Sequence, residues 1–599
     1  MHFQSKDLLH LNKSIAVLPF VNMSNDIDNE SFCDGIAEEI INALSKIKGL
    51  KVIARRSSFA FKNKNIDVRD IGNQLGVATV LEGSVRKSNN SIRITGQLID
   101  TKNGTQYWSK KFDRELIDIF ELEDVVSLAI ADEVRNNFGH FEVQDHLIKQ
   151  PTNNVEAYQL FLKGRSLQLK WTPESLNQAI SYYNQAINLD KNYAKAYYAN
   201  LQCYGLLAVW GYMPYQEAMD LAVGNLLIAK EIETALPEYP LSFVGKFLWG
   251  EWDFKNAYIH IEKTLDINPN YIDGLEAMTE LSIALGFFDK ALTYANRLLE
   301  VDPLSANNHY TLASIYYHQR KFDKALENVN YALTLNTDLA LAHHLKCFCL
   351  IWLNRSQQFQ CCIQDTTLKE EKNLLFQLIN NKDVEVPEQM MTKWSQSQNE
   401  ETMPVPYDVF ILSNSSYIDQ GFTRLKEMIE QRRGQVINYR QEPFLQPLHN
   451  TKEFSELHKS NLSIEDVNCH QTDDEKSSSI ILDAQQIDTL KEKLRSYFKE
   501  DEPFLNPQLS LKFVADVFEL NTNKMSYAIN KAFHLNFNDF VNSYRLNHFK
   551  ALAIDPKNSH LTILGLAYDS GFNSKSVFNT YFKKTEGITP SKWVKSNTK

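Results

Sequence analysis

The amino-acid sequence predicts a multidomain chain: an N-terminal α/β domain, a central all-α solenoid, and a C-terminal all-α domain with two helix-turn-helix units. Three observations carry this reading. Residues 13–140 alternate short apolar runs with amphipathic segments, the middle of the chain matches itself at a shift of 34 residues, and the C-terminal segment repeats one helical pattern twice. A length of 599 residues, with 43% hydrophobic and 23% charged side chains, suits several packed units of roughly 100–200 residues each. Sparse Gly (21) and Pro (17) against 26 Tyr and 34 Phe is the composition of helix pairs packed through aromatic rings.

In the first domain (13–140), IAVLPF reads as a buried strand. FCDGIAEEIINALSKI follows as an amphipathic helix with apolar residues at 36, 40, 41, 44 and 47, and LKVIARRSSFAF as a second strand. VRDIGNQLG is a further helix, TVLEGSVRK and SIRITGQLID form a strand pair turned at 88–90, and TKNGTQYWSKKFDR adds a strand through its Asn-Gly turn. FELEDVVSLAIADEVRNNF closes the domain as a helix. Glu38 and Glu39 are neighbours on a helix and point about 100° apart, so they form a solvated face and not an acid/base pair. Arg55, Arg56, Ser57 and Ser58 are anion-binding types, but strand alternation puts at most half of them on one side. The run LPF, DGIAEEIINALS, ARRSSFAFK, LGVATVLEGSV and ITGQLIDTKNGTQYWSKKFDR resembles the domain similar to the N-terminal part of TolB, which implies a sensing or assembly module.

In the middle, the 34-residue shift aligns Phe254, Phe288 and Phe322, then Ala257, Ala291 and Ala325, then Leu265, Leu299 and Leu333. FDKAL recurs intact at 288–292 and 322–326, and Pro269 and Pro303 keep the period where second helices end. A small Ala lets two antiparallel helices approach, and the aromatic fills the gap to the next pair. This is similar to the tetratricopeptide repeat, helix-turn-helix units of 34 residues. Looser copies around Ala179 and Ala218 extend the array to five repeats over 155–355, with 356–460 as an irregular helical cap. Such a solenoid implies a peptide or protein partner in its groove; Trp210, Trp249 and Trp252 are expected to pack between helices. The seven cysteines lack C-x-x-C spacing and read as buried small apolar side chains. His343 and His344 are adjacent on a helix and cannot jointly face one metal.

After a polar linker (461–480), the last domain (481–599) carries the duplication. LSLKFVADVFELNTNKMSYAINKAF sets Leu511, Val514, Ala515 and Phe518 as one apolar stripe, and Met525, Ala528 and Ile529 as the next. LTILGLAYDSGFNSKSVFNTYFKKTEG sets Ile563, Leu566 and Ala567, a Gly571-Phe572 turn, a cap at Asn573 or Ser574, then Val577, Phe578, Tyr581 and Phe582. NFNDFVNSYRLNHFKALAI joins them as one long helix. With GITPSKW after the second copy, this layout resembles the DNA-binding domain of the AraC/XylS family of bacterial transcription regulators. The resemblance implies that each second helix enters a major groove, the two grooves about one turn apart. Carried over by position, base contacts fall on Asn523, Lys524, Ser526, Tyr527, Asn530 and Lys531 in the first copy. In the second they fall on Lys575, Ser576, Asn579, Thr580 and Lys583, all types that pair with base edges. Arg545, Lys584, Thr589 and Ser591 are expected at phosphates. The family often has Gly where this chain has Glu519 and His534, so the first copy is expected to turn less comfortably and to be the weaker binder.

Charge agrees with this division. Residues 506–599 hold twelve Lys/Arg and six Asp/Glu, a net of +6, and the other 505 residues carry −17. Only the C-terminal segment is expected to meet a polyanion. No Walker-type loop, H-E-x-x-H, G-x-S-x-G or G-x-G-x-x-G occurs, so no catalytic site and no cofactor is expected. The longest apolar runs fall far short of the roughly 18 residues of a membrane span, and the first twenty residues lack a secretory pattern; a cytoplasmic protein is expected. The reading is a sequence-specific DNA-binding transcription regulator whose acidic domains receive a signal that changes how they lie against the basic one. The competing reading is a non-catalytic interaction scaffold whose C-terminal helices no longer bind DNA. A signalling enzyme sharing the N-terminal module lacks any catalytic segment.

Overall fold

The computed structural model describes residues 13–24, 29–88, 90–170, 172–209, 212–363, 368–381, 384–396, 405–449, 451–457, 462–463 and 482–597. Trp210, Cys469 and nearly all of the expected 461–480 linker lie outside them. The chain divides into two compact units, one made of residues 1–52, 63–150 and 474–599, the other of 53–62 and 151–473.

The first unit opens with a mixed sheet in the order β3-β1-β4-β5-β6, with β2 (Val21–Asn22) beside β4. β1 (Ser14–Val17) is buried throughout and runs parallel to β3 (Lys51–Val52) and β4 (Thr79–Ser88). β4, β5 (Ser91–Asp100) and β6 (Thr105–Glu115) form an antiparallel meander. The registers Ser88↔Ser91 and Asp100↔Thr105 close it at the two expected turns. Helices Glu30–Ser45 and Ile119–Phe138 pack together, burying Ile36, Ile40 and Leu44 of one and Val126, Ile130 and Val134 of the other. Glu38, expected on a solvated face, is buried.

The strand expected over LKVIARRSSFAF ends at Val52, and Arg55–Phe59 is a short helix. Its polar groups are met in the second unit. The Ala54 N–H donates to the Val301 carbonyl (2.7 Å), and the Ser57 N–H and Oγ both donate to the Asp302 carboxylate. Arg56 donates to Ser305 Oγ (2.7 Å) and lies 3.5 Å from Asp302 and 3.9 Å from Glu276. A backbone whose hydrogen bonds are taken elsewhere cannot continue a sheet, and an arginine facing two carboxylates is not an anion site.

The second unit is a stack of helix pairs. Val155–Gln168 pairs with Pro173–Leu189, Ala194–Val209 with Tyr215–Ile232, Ile272–Leu285 with Phe288–Val301, and Ala306–His318 with Phe322–Leu335. Between Ile232 and Phe254 the period is broken by a short helix, Glu238–Leu241, and a π-helix, Gly245–Glu251. Ala179, Ala218, Ala257, Ala291 and Ala325 are all fully buried on second helices, the close approach that the repeat requires. Pro269 and Pro303 stand two residues beyond the helices ending at Ile267 and Val301. One core runs from Val244 to Leu462, so residues after the repeats seal the array. Phe444, fully buried, lies 5.1 to 5.3 Å from the rings of Phe348, Trp352 and Phe410. Trp252 packs as expected; Trp249 is 40% exposed. Cys361 is exposed, and Cys347 and Cys362 stand 3.2 Å apart through their sulfurs. His344 pairs with the Tyr407 hydroxyl (2.7 Å) and His343 with the Thr337 carbonyl, each with its own partner.

Candidate nucleic-acid interface

The C-terminal domain hangs two small cores on one helix, Phe537–Ile554. The N-terminal half of that helix gives Phe537, Phe540 and Val541 to a core with Leu494, Phe498, Leu511, Val514, Met525 and Ile529. The other half gives Leu546, Phe549 and Ala553 to a core with Leu566, Ala567, Phe572, Phe578 and Phe582. Each core organises a short helix, a turn and a second helix, termed a reading helix after the role expected of it. The first copy is Leu511–Val517 then Thr522–Phe533; the second is Ile563–Asp569 then Lys575–Glu586. All four helices carry a side-chain cap. Ser510, Asn521, Thr562 and Ser574 accept from the N–H groups of Phe513, Lys524, Gly565 and Val577, each cap contributing about 1 kcal/mol.

Both copies need left-handed backbone at two places, the turn and the end of the reading helix. The second copy has glycine there, Gly571 (φ +86°) and Gly587 (φ +73°); the first has Glu519 (φ +55°) and His534 (φ +57°). A side chain costs about 1 kcal/mol in that region, the discomfort expected for the first copy. Gly571 has a second reason to lack a Cβ, which would stand 2.2 Å from the Phe504 carbonyl oxygen.

Arg545, expected at a phosphate, is 7% exposed. Its Nε and Nη2 donate to the carbonyls of Phe504 (2.8 Å) and Asn506 (2.9 Å), and burial lowers its pKa to about 10. The guanidinium satisfies backbone acceptors of the 503–506 turn, which holds it inside the domain and not on the exposed surface expected of a phosphate contact. Lys584 is exposed and stands 2.9 Å from Asp539; Thr589 and Ser591 are exposed at the start of the last helix, Pro590–Asn597.

On the second reading helix, Lys575, Ser576, Asn579, Thr580 and Lys583 are all exposed. Their spacing along a 3.6-residue helix puts them on one face, opposite Phe578 and Phe582 in the core. The first reading helix differs. Lys531 is exposed, but Lys524 and Asn530 are half-buried and Ser526 is 7% exposed. Asn523 is hydrogen-bonded to Arg135 and to the backbone of Val143, and Tyr527 lies edge-on to His140 at 5.5 Å. Burial, aided by the positive charges of Arg135 and Lys13, holds the His140 imidazole near a pKa of about 4. No motif marked Arg135, Asn137, His140 and Val143, because their meaning depends on a partner about four hundred residues later in the chain. Among the described residues, no group of three or more His, Cys, Asp or Glu is placed to hold a metal ion, and no helix is long and apolar enough to cross a membrane.

Residues 514–596 match the helix-turn-helix domain family, and residues 11–127 match the second domain of HilA/YgeH-like transcriptional regulators. A putative adenylate cyclase 3 of Rhizobium meliloti (strain 1021) is 41% identical over 184 residues, 31% of this chain and 31% of that protein. The transcriptional regulator HilA of Salmonella typhimurium is 26% identical over 181 residues, 29% of this chain and 31% of that protein. The melibiose operon regulatory protein of Escherichia coli K12 is 31% identical over 87 residues, 14% of this chain and 28% of that protein. The chain thus spans less than a third of the length of each of these relatives. The run likened to TolB falls within the HilA-type match. The C-terminal domain is a helix-turn-helix domain of the AraC type, joined through tetratricopeptide-like repeats to a HilA-like regulator domain.

Proposed function

We propose that this chain, with a HilA-like domain at one end and an AraC-type domain at the other, is a sequence-specific DNA-binding transcription regulator acting in the cytoplasm. The observation that carries the reading is the exposed row Lys575, Ser576, Asn579, Thr580 and Lys583 on a capped helix with a rigid aromatic core behind it. Lysine donates to guanine, asparagine pairs bidentately with adenine, and serine or threonine bonds either or touches a thymine methyl. Lys584, Thr589 and Ser591 flank that row where phosphate oxygens fix the register of a domain on the duplex.

The acidic domains are the receiving part, with a peptide or protein in the repeat groove as the signal. The chain works by binding and not by catalysis. Its likeness to a putative cyclase covers under a third of either protein, and the regulator families account for both of its matched ends. The two helix-turn-helix units address grooves about one helical turn apart. The test is selection from random duplex DNA by the full chain, with the winners titrated at two salt concentrations. Enrichment of a short motif, bound more tightly than bulk DNA at both, is expected. Binding that is equal on all sequences and vanishes with salt would favour the scaffold reading.

A further inference from the structure

The first reading helix already has an occupant. The occupying surface is the last turn of helix Ile119–Phe138 and the extended chain behind it, within the same compact unit as the reading helix. At its centre, Asn523 Nδ2 donates to the Val143 carbonyl (2.9 Å) while Asn523 Oδ1 accepts from the Val143 N–H (3.1 Å) and from Arg135 Nη1 (2.5 Å). An adenine edge in the major groove offers an asparagine one donor, N6–H, and one acceptor, N7. The Val143 peptide offers that same pattern, one N–H and one C=O.

The contact continues on the same face of the helix. Tyr527 lies one turn along from Asn523 and meets the His140 ring edge-on, and the Asn530 amide nitrogen is 3.5 Å from where a Cβ on Gly139 would stand. Asn536 and Asn538, at the start of the bridging helix, donate to the carbonyl and side-chain oxygens of Asn137 (2.8 and 3.0 Å). Arg135 is 2% exposed and is held on its other side by Asp132. Residues 523, 527 and 530 are spaced i, i+4, i+7, the spacing of one helix face, and that face is the one assigned to bases.

We propose that residues 135–143 form a base-mimicking dock for the first reading helix, so that this helix and DNA exclude one another. The docked chain reads a single half-site through its second unit and reaches the second half-site only after release. The proposal rests on the DNA-reading function above. Two occupants of one amide compete, so affinity for a two-half-site duplex falls by the fraction of molecules docked. A ligand that favours the released arrangement raises it by the same linkage.

The test uses the full chain, its Arg135→Ala variant and an Asn137→Ala/His140→Ala variant, which removes half-buried side chains of the dock and leaves the buried Arg135 in place. Amide hydrogen exchange is measured without DNA. Both variants are expected to speed exchange over 523–533 about tenfold, Arg135→Ala through its lost bond to Asn523 and the double variant through the lost ring contact to Tyr527 and the lost bond to Asn538, with 575–586 unchanged. Equal rates in all three proteins overturn the dock, whatever DNA shows. Footprints on a duplex selected by the Asn137→Ala/His140→Ala variant are then compared. The wild type is expected to protect one half-site, and the variants two, about one helical turn apart and about tenfold more tightly. Protection of both half-sites by the wild type, with affinity unchanged in the variants, overturns mutual exclusion. If no protein selects any sequence while exchange still responds to the substitutions, the dock stands as an interdomain contact, and the DNA-reading function, and with it the exclusion of DNA, falls.

Discussion

The two copies of the short-helix, turn and second-helix pattern share a spacing and a capping scheme but face different surroundings. In the second, glycines take the left-handed positions and every expected base contact is exposed; in the first, Glu519 and His534 take them, and Asn523 and Tyr527 are engaged by Arg135, Val143 and His140. A copy whose turn residues fit and whose reading face is open is ready to bind. A copy with strained turns and an occupied face is suited to being held and released. Duplication thus supplies two similar helices, and the turn residues and the neighbour decide what each one does.

Substitutions in the second core should break this comparison most strongly. Phe582, fully buried beside Phe549, Phe578 and Trp593, belongs to a core with few other side chains. Phe582→Ala is expected to cost about 4 kcal/mol, read by urea unfolding, and to abolish specific binding. Arg545→Ala should cost about 3 kcal/mol by leaving the Phe504 and Asn506 carbonyls unmet. The salt dependence of DNA affinity should stay unchanged, because the Arg545 guanidinium is buried on two carbonyls; a slope reduced by one ion would return it to the backbone-contact set.

How far the sequence showed these differences depends on how local each cause is. Periodicity placed the helix pairs, the meander and both reading helices, because apolar spacing and caps act within one or two turns. The glycine replacements at 519 and 534 were legible for the same reason. Arg545 was not, since a guanidinium on a basic domain looks the same whether it meets phosphate or two carbonyls some forty residues away. Residues 55–59 read as strand because nothing nearby signals that Ser57 will bond Asp302 in another part of the chain. The dock at Asn523 was hidden in the same way.

Two smaller effects sharpen the contrast. Lys575→Ala should weaken binding to a selected duplex by about 2 kcal/mol while leaving non-specific binding nearly unchanged, measured by competition titration; equal losses on all sequences would make Lys575 a phosphate contact. Glu519→Gly and His534→Gly should each stabilise the chain by about 1 kcal/mol through relief of left-handed backbone, seen as a raised urea midpoint. No gain from either would mean that the first copy is not strained.

The central claim is that the second copy reads DNA while the first is occupied, and paired asparagine substitutions test it most directly. Asn523 and Asn579 both lie on reading helices, one bonded to Val143 and the other exposed. Titrating the full-chain Asn523→Ala and Asn579→Ala variants against one selected duplex should show affinity lost by at least tenfold only for Asn579→Ala, with Asn523→Ala unchanged or slightly tighter. Equal losses in the two variants would contradict the account.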